Sequence, residues 1–196
     1  MAIVINGSGT VTGISVGGLP DGIVDAGTLA TNSVDSAELI DGAIDTAHIA
    51  ANQITSAILP AGSVLQVVEA QAQSSNTTPS TSFADVAGTS ISITPSSTSS
   101  RILIMWNAGG MNNGSNNSIR FKVFRNSTEV RYITRYGYAN QGWTACPIAI
   151  QYLDSPSSTS SVTYKLQCAT EADADFRIND EPSTDAMVVI AMEIGG

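Results

Sequence analysis

Residues 14 to 63 read ISVGGLPDGI, VDAGTLATNS, VDSAELIDGA, IDTAHIAANQ and ITSAILPAGS, which are five consecutive blocks of ten residues. The first position of every block is β-branched and apolar, and the sixth is aliphatic. The second position is Ser, Asp or Thr, all of which favour the N-cap of a helical turn. The ninth position is always Gly or Asn: Gly22, Asn32, Gly42, Asn52 and Gly62.

These positions predict a backbone that turns within every block. An apolar residue at every fifth position would alternate between the two faces of a strand, and it would not stay on one face of a helix. Glu38 lies three residues after Asp35, which is the spacing of a capping box. The Gly or Asn at the ninth position supplies the left-handed residue that ends such a turn. Each block is therefore predicted to contain an extended piece, one capped turn and a reversal.

The aliphatic columns of the repeat lack an obvious partner within the chain, which favours burial between chains. We expect a parallel homotrimer with a shaft over residues 14–63. The residues expected near its three-fold axis are Leu29, Val34, Leu39, Ile44, Ile49 and Ile54. A single-chain solenoid is the alternative, but fifty residues would give it few coils and no caps, whereas repeat arrays generally need at least three repeats and capping ends.

Downstream of residue 63 the repeat stops, and short strand-like runs alternate with clusters of Ser, Thr, Pro, Asn and Gly. About ten such runs without a helical period predict an antiparallel β-sandwich over residues 64–196. Among the predicted strands are Val64 to Ala72, Trp143 to Leu153, Asp175 to Ile178 and Met187 to Ile194. Residues 1–13 (MAIVINGSGTVTG) are too short and glycine-rich to fold independently, and we interpret them as an attachment arm. The predicted fold class is thus mainly β, with an arm, a repetitive shaft and a sandwich.

The net charge of -9 is unevenly distributed, because all eight Lys and Arg residues follow Ser100. A long segment without cations disfavours binding to nucleic acid or to an anionic membrane. The N-terminus lacks the charge and apolar core of a signal peptide, and no apolar run is long enough to cross a bilayer, so we expect a soluble chain made in a cytoplasm. Cys146 and Cys168 are predicted as cross-strand neighbours, with two thiols favoured over a disulfide.

The sequence favours a chain without catalytic residues, cofactor or metal. His48 is the only histidine and occupies a variable column of the repeat, so a histidine-activated nucleophile has no candidate in the sandwich. The acidic residues between 171 and 181 include oxygen ligands suited to calcium, but they lack the glycine turn of an EF-hand, and a solvated acidic edge is the simpler interpretation. Catalysis by a pair of carboxylates remains an alternative.

Two segments of the predicted sandwich combine side chains suited to a saccharide. Aromatic faces stack against sugar CH groups, and amides exchange hydrogen bonds with hydroxyls. YGYANQGW at 136–143 contains three aromatics beside amides, although Trp143 could equally pack in the core. NAGGMNNGSNNS at 107–118 is asparagine-rich, and a solvated turn is its alternative interpretation. The candidate host-contact residues are Tyr136, Tyr138, Asn140, Trp143, Asn112, Asn113 and Asn116.

The opening MAIVINGSGTVTGISVGGLPDGIVDAGTLA, the decapeptide array, PAGSVLQVVEAQ, SISITPSSTSSRILIMW and the ending MVVIAMEIGG together resemble the fibre proteins of tailed bacteriophages, especially phages of cyanobacteria. The resemblance covers residues 1–106 and 187–196. It implies a homotrimeric virion fibre on the tail or the capsid, with a knob of jelly-roll or tumour-necrosis-factor-like type that meets the host surface. The alternatives are a capsid decoration protein that binds no receptor and a carbohydrate-active spike.

Overall fold

A computed structural model describes Val34, Ile44 and residues 47–51, 53–55, 58–72, 76–78, 80–113, 117–139, 142–171, 175–179 and 187–196. The chain divides into two compact units, Met1–Gln53 and Ile54–Gly196. The last block of the repeat therefore belongs to the same unit as the sandwich, and each unit is described by itself.

The described residues form 13 β-strands. In chain order they are β1 (Val64–Ala72), β2 (Asn76–Thr78), β3 (Ala84–Asp85), β4 (Ile91–Ile93), β5 (Arg101–Ala108), β6 (Gly110–Asn113), β7 (Asn117–Arg125), β8 (Thr128–Ala139), β9 (Trp143–Ala145), β10 (Ile148–Asp154), β11 (Val162–Thr170), β12 (Asp175–Ile178) and β13 (Met187–Ile194). No described residue is helical, and the described part of the chain accordingly has no helix with the length and apolar character needed to cross a membrane.

The strands form three antiparallel sheets. The first sheet has the order β1-β13-β5-β10, the second has the order β3-β11-β7-β8 with β4 also paired to β11, and the third has the order β2-β12-β6-β9. The strand orders of the first and second sheets are those of a jelly roll, a double-sheet form of the β-sandwich, in which β7 and β8 form a hairpin within the second sheet. The predicted antiparallel β-sandwich is confirmed.

One hydrophobic core lies between the first and second sheets. Alternate residues of β5 and β7 point inward, so that Trp106 and Phe121 are fully buried. The indole Nε1 of Trp106 donates a hydrogen bond to the Thr89 carbonyl at 2.9 Å, which pairs the polar edge of a buried ring. Phe176 of the third sheet packs edge-to-face on Phe121 with a centroid distance of 5.9 Å. The third sheet is thus anchored to the core of the sandwich.

The third sheet lies at one end of the sandwich, because β2, β6, β9 and β12 each belong to a connection between two long strands at that end. The opposite end is where β1 begins, and we call it the Val64 end. Val64 pairs with Ile194 there, the Gly62 amide donates to the Gly195 carbonyl at 2.7 Å, and the Gly195 amide donates to the Ser63 carbonyl at 2.8 Å. The polypeptide therefore enters and leaves the sandwich at the same end.

A buried glutamate accepts several hydrogen bonds at the Val64 end. Glu193 is 1% exposed, and its Oε1 accepts hydrogen bonds from the Ser96 amide, the Ser96 hydroxyl and the Ser100 hydroxyl at 2.7, 2.7 and 2.6 Å. Its Oε2 accepts one from Gln66 Nε2 at 2.6 Å. Burial raises the pKa of Glu193, but the hydrogen bonds from Ser100, Ser96 and Gln66 outweigh that effect and hold the pKa below its usual range.

A second buried carboxylate lies at the end of β10. Asp154 is 5% exposed, and its Oδ2 accepts hydrogen bonds from Arg125 Nη1 at 2.8 Å and from the Tyr164 hydroxyl at 2.7 Å. Burial raises the pKa of Tyr164, and the hydrogen bond to Asp154 raises it further. The cluster connects the two sheets, because Asp154 belongs to the first sheet while Arg125 and Tyr164 belong to the second.

The break at Pro147 corrects the predicted path of the chain before β10. The continuous strand expected from Trp143 to Leu153 is interrupted at Cys146 and Pro147, and its two parts lie in different sheets. Proline lacks the N–H group that a continuing ladder requires.

The same break overturns the predicted pairing of the cysteines. Cys146 lies beside Gly110, to whose carbonyl its amide donates at 2.7 Å, whereas Cys168 pairs in register with Phe121. Both side chains are buried without a disulfide between them, and burial raises the pKa of the Cys146 thiol.

The described residues of the repeat include four of the six predicted to lie near the three-fold axis. Val34, Ile44, Ile49 and Ile54 are 46%, 50%, 37% and 53% exposed in the single chain. Leu29 and Leu39 lie outside the described residues. These four large aliphatic side chains are therefore not covered within the single chain.

The last repeat block shows how the backbone turns. The Ile58 amide donates to the carbonyl of Thr55, the second position of the block, at 3.0 Å. Gly62, at the ninth position, has a φ of 90°, a conformation that L side chains rarely adopt. The corresponding residues Gly22, Asn32, Gly42 and Asn52 lie outside the described residues.

Candidate functional site

The outer face of the third sheet carries the candidate contact site. Asn113 of β6 pairs in register with Trp143 of β9 and with Asp175 of β12. Met111, two residues before Asn113, pairs with Arg177 and Ala145. Since residues directly across a ladder project from the same side, these side chains share one face of the sheet. We call this the third-sheet face.

The opposite side of the third sheet is buried. Phe176 and Ile178 of β12 are each 1% exposed and belong to the core. The alternation Asp175, Phe176, Arg177, Ile178 therefore places the two apolar residues inward and the two charged residues outward.

Trp143 and Arg177 form the centre of the third-sheet face. The guanidinium carbon of Arg177 lies 4.2 Å from the centroid of the Trp143 ring, within the range of a cation–π interaction. Trp143 nevertheless remains 40% exposed. Part of the indole therefore faces solvent beside the guanidinium group.

The residues around this pair complete a polar rim. Asn113 pairs with Trp143 on one side and with Asp175 on the other, and these two half-buried residues provide an amide and a carboxylate. An aromatic plane bordered by a guanidinium, an amide and a carboxylate can stack on an apolar face of a ligand and exchange hydrogen bonds with its hydroxyl groups. This combination matches the chemistry of a saccharide.

The structure brings two of the predicted contact residues together and removes a third. Asn113 and Trp143 are register partners, so the two asparagine- and aromatic-rich segments meet at one edge of the third sheet. Asn112 is 1% exposed on the inner side of the same strand, so its prediction as a contact residue is wrong. Strand alternation is the reason, because neighbours in β6 point to opposite faces.

For two of the other predicted contact residues, Tyr136 and Tyr138, the structure describes the backbone. Tyr136 and Tyr138 belong to β8, where they pair with Ile119 and Ser118 near the third-sheet end. Asn116 and Asn140 lie outside the described residues.

Arg177 was not predicted as a functional residue. The strand Asp175–Ile178 was predicted, and its alternation would have placed Arg177 outward. The pairing of β12 with β6 and of β6 with β9 could not be predicted from the sequence, and this pairing brings Arg177 to Trp143.

One residue of the acidic segment 171–181 is hydrogen-bonded to β7. Glu171 accepts a hydrogen bond from the Ser118 hydroxyl at 2.5 Å, while residues 172–174 and 180–181 lie outside the described part. In the described ranges there is no group of three or more His, Cys, Asp or Glu side chains that could hold a metal ion. His48 is exposed in a turn of the repeat.

Comparison with known proteins gives only distant structural similarity. No family model and no curated protein matches the chain. It is similar to a structure of infectious bursal disease virus Gx strain, with 14% identity and a TM-score of 0.37, over 67% of this chain and 32% of that chain. It is also similar to the crystal structure of the VP2 subviral particle of that virus, with 7% identity and a TM-score of 0.33, over 66% of this chain and 39% of that one.

A third similar structure is the T13 particle of infectious bursal disease virus, with 9% identity and a TM-score of 0.35, over 66% of this chain and 37% of that one. The chain thus spans well under half the length of the chains that it matches. At these TM-scores the similarity carries no argument about function.

Proposed function

We propose that this chain is a structural protein of a virus particle: a homotrimeric fibre of a tailed phage, attached by residues 1–13 and contacting the host through its sandwich. The resemblance of residues 1–106 and 187–196 to phage fibre proteins supports the class. The exposed aliphatic column of the repeat supports assembly from several copies, since a chain that does not cover such residues itself gains stability when another copy does.

The observation that carries the proposal is the separation of the two ends of the sandwich. The chain enters at the Val64 end, and the third-sheet face lies at the other end of the same long strands. β1 spans nine residues, or about 30 Å at the usual rise of a strand. A fibre joined at the Val64 end would therefore present Trp143 and Arg177 at its tip.

The proposed ligand is a saccharide of the host surface. Trp143 supplies the stacking surface, Arg177 orders it and donates hydrogen bonds, and Asn113 and Asp175 provide further polar contacts. A shallow and partly polar face of this kind is suited to weak, repeated contacts, which three copies on one fibre would strengthen through multivalency.

Particles that carry Trp143→Ala are expected to adsorb to host cells roughly tenfold more weakly, because losing one stacking ring removes about 1 to 1.5 kcal/mol of contact energy. The measurement is the adsorption rate of particles with equal fibre content. Tyr132→Ala is the matched control, since Tyr132 is 44% exposed but lies on the second sheet. Equal adsorption of Trp143→Ala and wild-type particles would contradict the assigned contact site.

The attachment arm requires its own experiment. Particles assembled with a chain that lacks Ala2 to Gly13 are expected to lose the fibre, although the purified chain still forms trimers. Fibre content is measured by mass spectrometry of purified particles. Retention of the shortened chain, with the sandwich lying flat on capsid subunits in a cryo-EM map, would favour the alternative function of a capsid decoration protein.

The replacement Ile44→Asp is expected to abolish the trimer in the repeat, because it would place three carboxylates at one level of the axis and unpaired buried charge is strongly unfavourable. Light scattering of the full chain measures the change in mass. Ala50→Asp is the control, because Ala50 is exposed and lies outside the aliphatic columns. A trimer that tolerates Ile44→Asp as well as Ala50→Asp would refute the predicted axis.

A further inference from the structure

The outer face of the first sheet, whose four strands are all described in full, carries one row of residues that is apolar on every strand. Val67, Met192, Leu103 and Leu153 are register partners in β1, β13, β5 and β10, so they form a continuous row across the sheet. Val67 is 56% and Leu153 40% exposed. The adjacent row contains Ile190 and Met105. We call these six residues the apolar face.

The apolar face does not belong to the core of the sandwich. Residues of opposite parity on the same strands, such as Ile104 and Ala191, form the inner side and are fully buried. An antiparallel sheet with one face toward water normally alternates apolar and polar residues. The first sheet has apolar residues on both sides, which is the pattern of a sheet covered on both sides.

The second sheet shows the contrast within the same molecule. Its outer side carries ion pairs between Lys122 and Glu129 and between Lys165 and Asp85, each at 2.7 Å. The outer side of the first sheet has only two charged residues, Glu69 and Arg101. The outer side of the second sheet therefore carries paired charges, whereas the outer side of the first sheet carries a continuous apolar row.

We propose that the apolar face is where the sandwiches of neighbouring copies of this chain pack against one another. This inference rests on the proposed homotrimer and assigns a part of its interface that the repeat does not provide. Glu69 and Arg101 have opposite signs and lie on different strands, so Glu69 of one copy can lie opposite Arg101 of the next copy around a three-fold axis. A partner of different sequence would not be expected to require one positive and one negative residue on this face.

The area of the face supports a contact that is continuous with the segment before β1. Four strands 4.8 Å apart and eight residues long cover about 500 Å², below the roughly 800 Å² per partner of a standard interface. Ile54, Ile58 and Leu59 precede β1 and are 53%, 63% and 38% exposed. Ile54 and Leu59 continue the first and sixth positions of the repeat, and Ile58 adjoins Leu59. Burial of these three residues would supply the missing area.

Methionine oxidation in the native full-length chain tests this proposal directly, because the rate follows access of the oxidant to the thioether. Met105 and Met192 lie on the apolar face, and Met111 is equally half-buried but lies on the third-sheet face. After treatment with hydrogen peroxide, peptide mass spectrometry should show Met105 and Met192 oxidised several-fold more slowly than Met111.

Leu103→Arg provides the second arm of the test. It introduces a charge at the centre of the apolar row, and it should raise the oxidation rates of Met105 and Met192 to that of Met111. Ser92→Arg is the control, because Ser92 is exposed on the second sheet and should leave the protection unchanged. Circular dichroism checks that both variants are folded, and the wild-type comparison does not depend on either variant.

The outcomes separate this inference from the proposed fibre. A trimer by light scattering in which Met105 and Met192 oxidise as fast as Met111 overturns the apolar face as an interface and leaves the homotrimer intact. Protection that appears only on assembled particles overturns it in favour of a capsid subunit as the partner. Protection that survives Leu103→Arg also overturns it.

Discussion

Replacing Asp154 with Ala is expected to lower the free energy of unfolding by about 3 kcal/mol, which is among the largest losses that a single polar substitution causes. The Asp154 carboxylate accepts from both Arg125 and Tyr164 and joins the two sheets. Its removal would leave the Tyr164 hydroxyl without its acceptor in a fully buried position. Because Arg125 keeps some access to water, we place the loss at the lower end of the range for buried ion pairs.

Urea denaturation of the full chain, followed by tryptophan fluorescence, measures this change. Tyr164→Phe is the matched comparison, since it removes one hydroxyl while the ion pair stays, and it should cost only about 1 kcal/mol. Equal losses for Asp154→Ala and Tyr164→Phe would show that the ion pair with Arg125 contributes nothing measurable.

Replacing Glu193 with Gln is expected to cost about 2 kcal/mol at neutral pH, because hydrogen bonds to a charged acceptor are stronger than those to an amide. The amide N–H group would also face Gln66 Nε2, which is itself a donor. Ser96, Ser100 and Gln66 would each lose part of their pairing. The connection between β4 and β5 should loosen first, since Glu193 holds it to β13.

The dependence on pH distinguishes a lost charge from lost packing. The pKa of Glu193 in the folded chain lies below its ordinary value of 4.5. The carboxylate therefore contributes its full stabilisation above pH 4.5, and this contribution disappears as the pH falls through the lowered pKa of the folded state. The gap between wild type and Glu193→Gln should shrink with acidification. A gap that is constant from neutral to acidic pH would contradict the assignment.

The local pattern of apolar and polar residues was sufficient to predict several strands whose two sides differ in burial or composition. The predicted bounds of β1, β12 and β13 agree with those of the structure. Each of these runs is uninterrupted by Pro or Gly, so the signal lies within a few neighbouring positions. The sandwich class follows from the number and spacing of such runs.

The pairing between distant strands could not be predicted from the sequence. β6 has only four residues in an asparagine- and glycine-rich segment, and it exists as a strand because β12 and β9 flank it. The Arg177–Trp143 contact and the burial of Asn112 both follow from that pairing. Glu193 likewise gains its partners across 97 residues of chain to Ser96. Pro147 was a readable signal, since a proline inside a run argues against one continuous strand.

The axis residues of the repeat and the attachment arm stay predictions. Leu29, Leu39 and residues 1–13 lie outside the described part of the chain. Val34, Ile44, Ile49 and Ile54 are exposed in the single chain.

The direction of β1 determines how the sandwich would bear mechanical load. β1 runs from the Val64 end toward the third sheet and pairs with β13 from Val64 to Ala72. If a cell held the third sheet while the particle pulled at Val64, tension would run along β1 and across hydrogen bonds perpendicular to it. Those hydrogen bonds would be loaded in shear, so they would have to break together and could not open one at a time. A fibre tip built in this way would resist detachment by flow through slow forced unfolding, whatever its equilibrium stability.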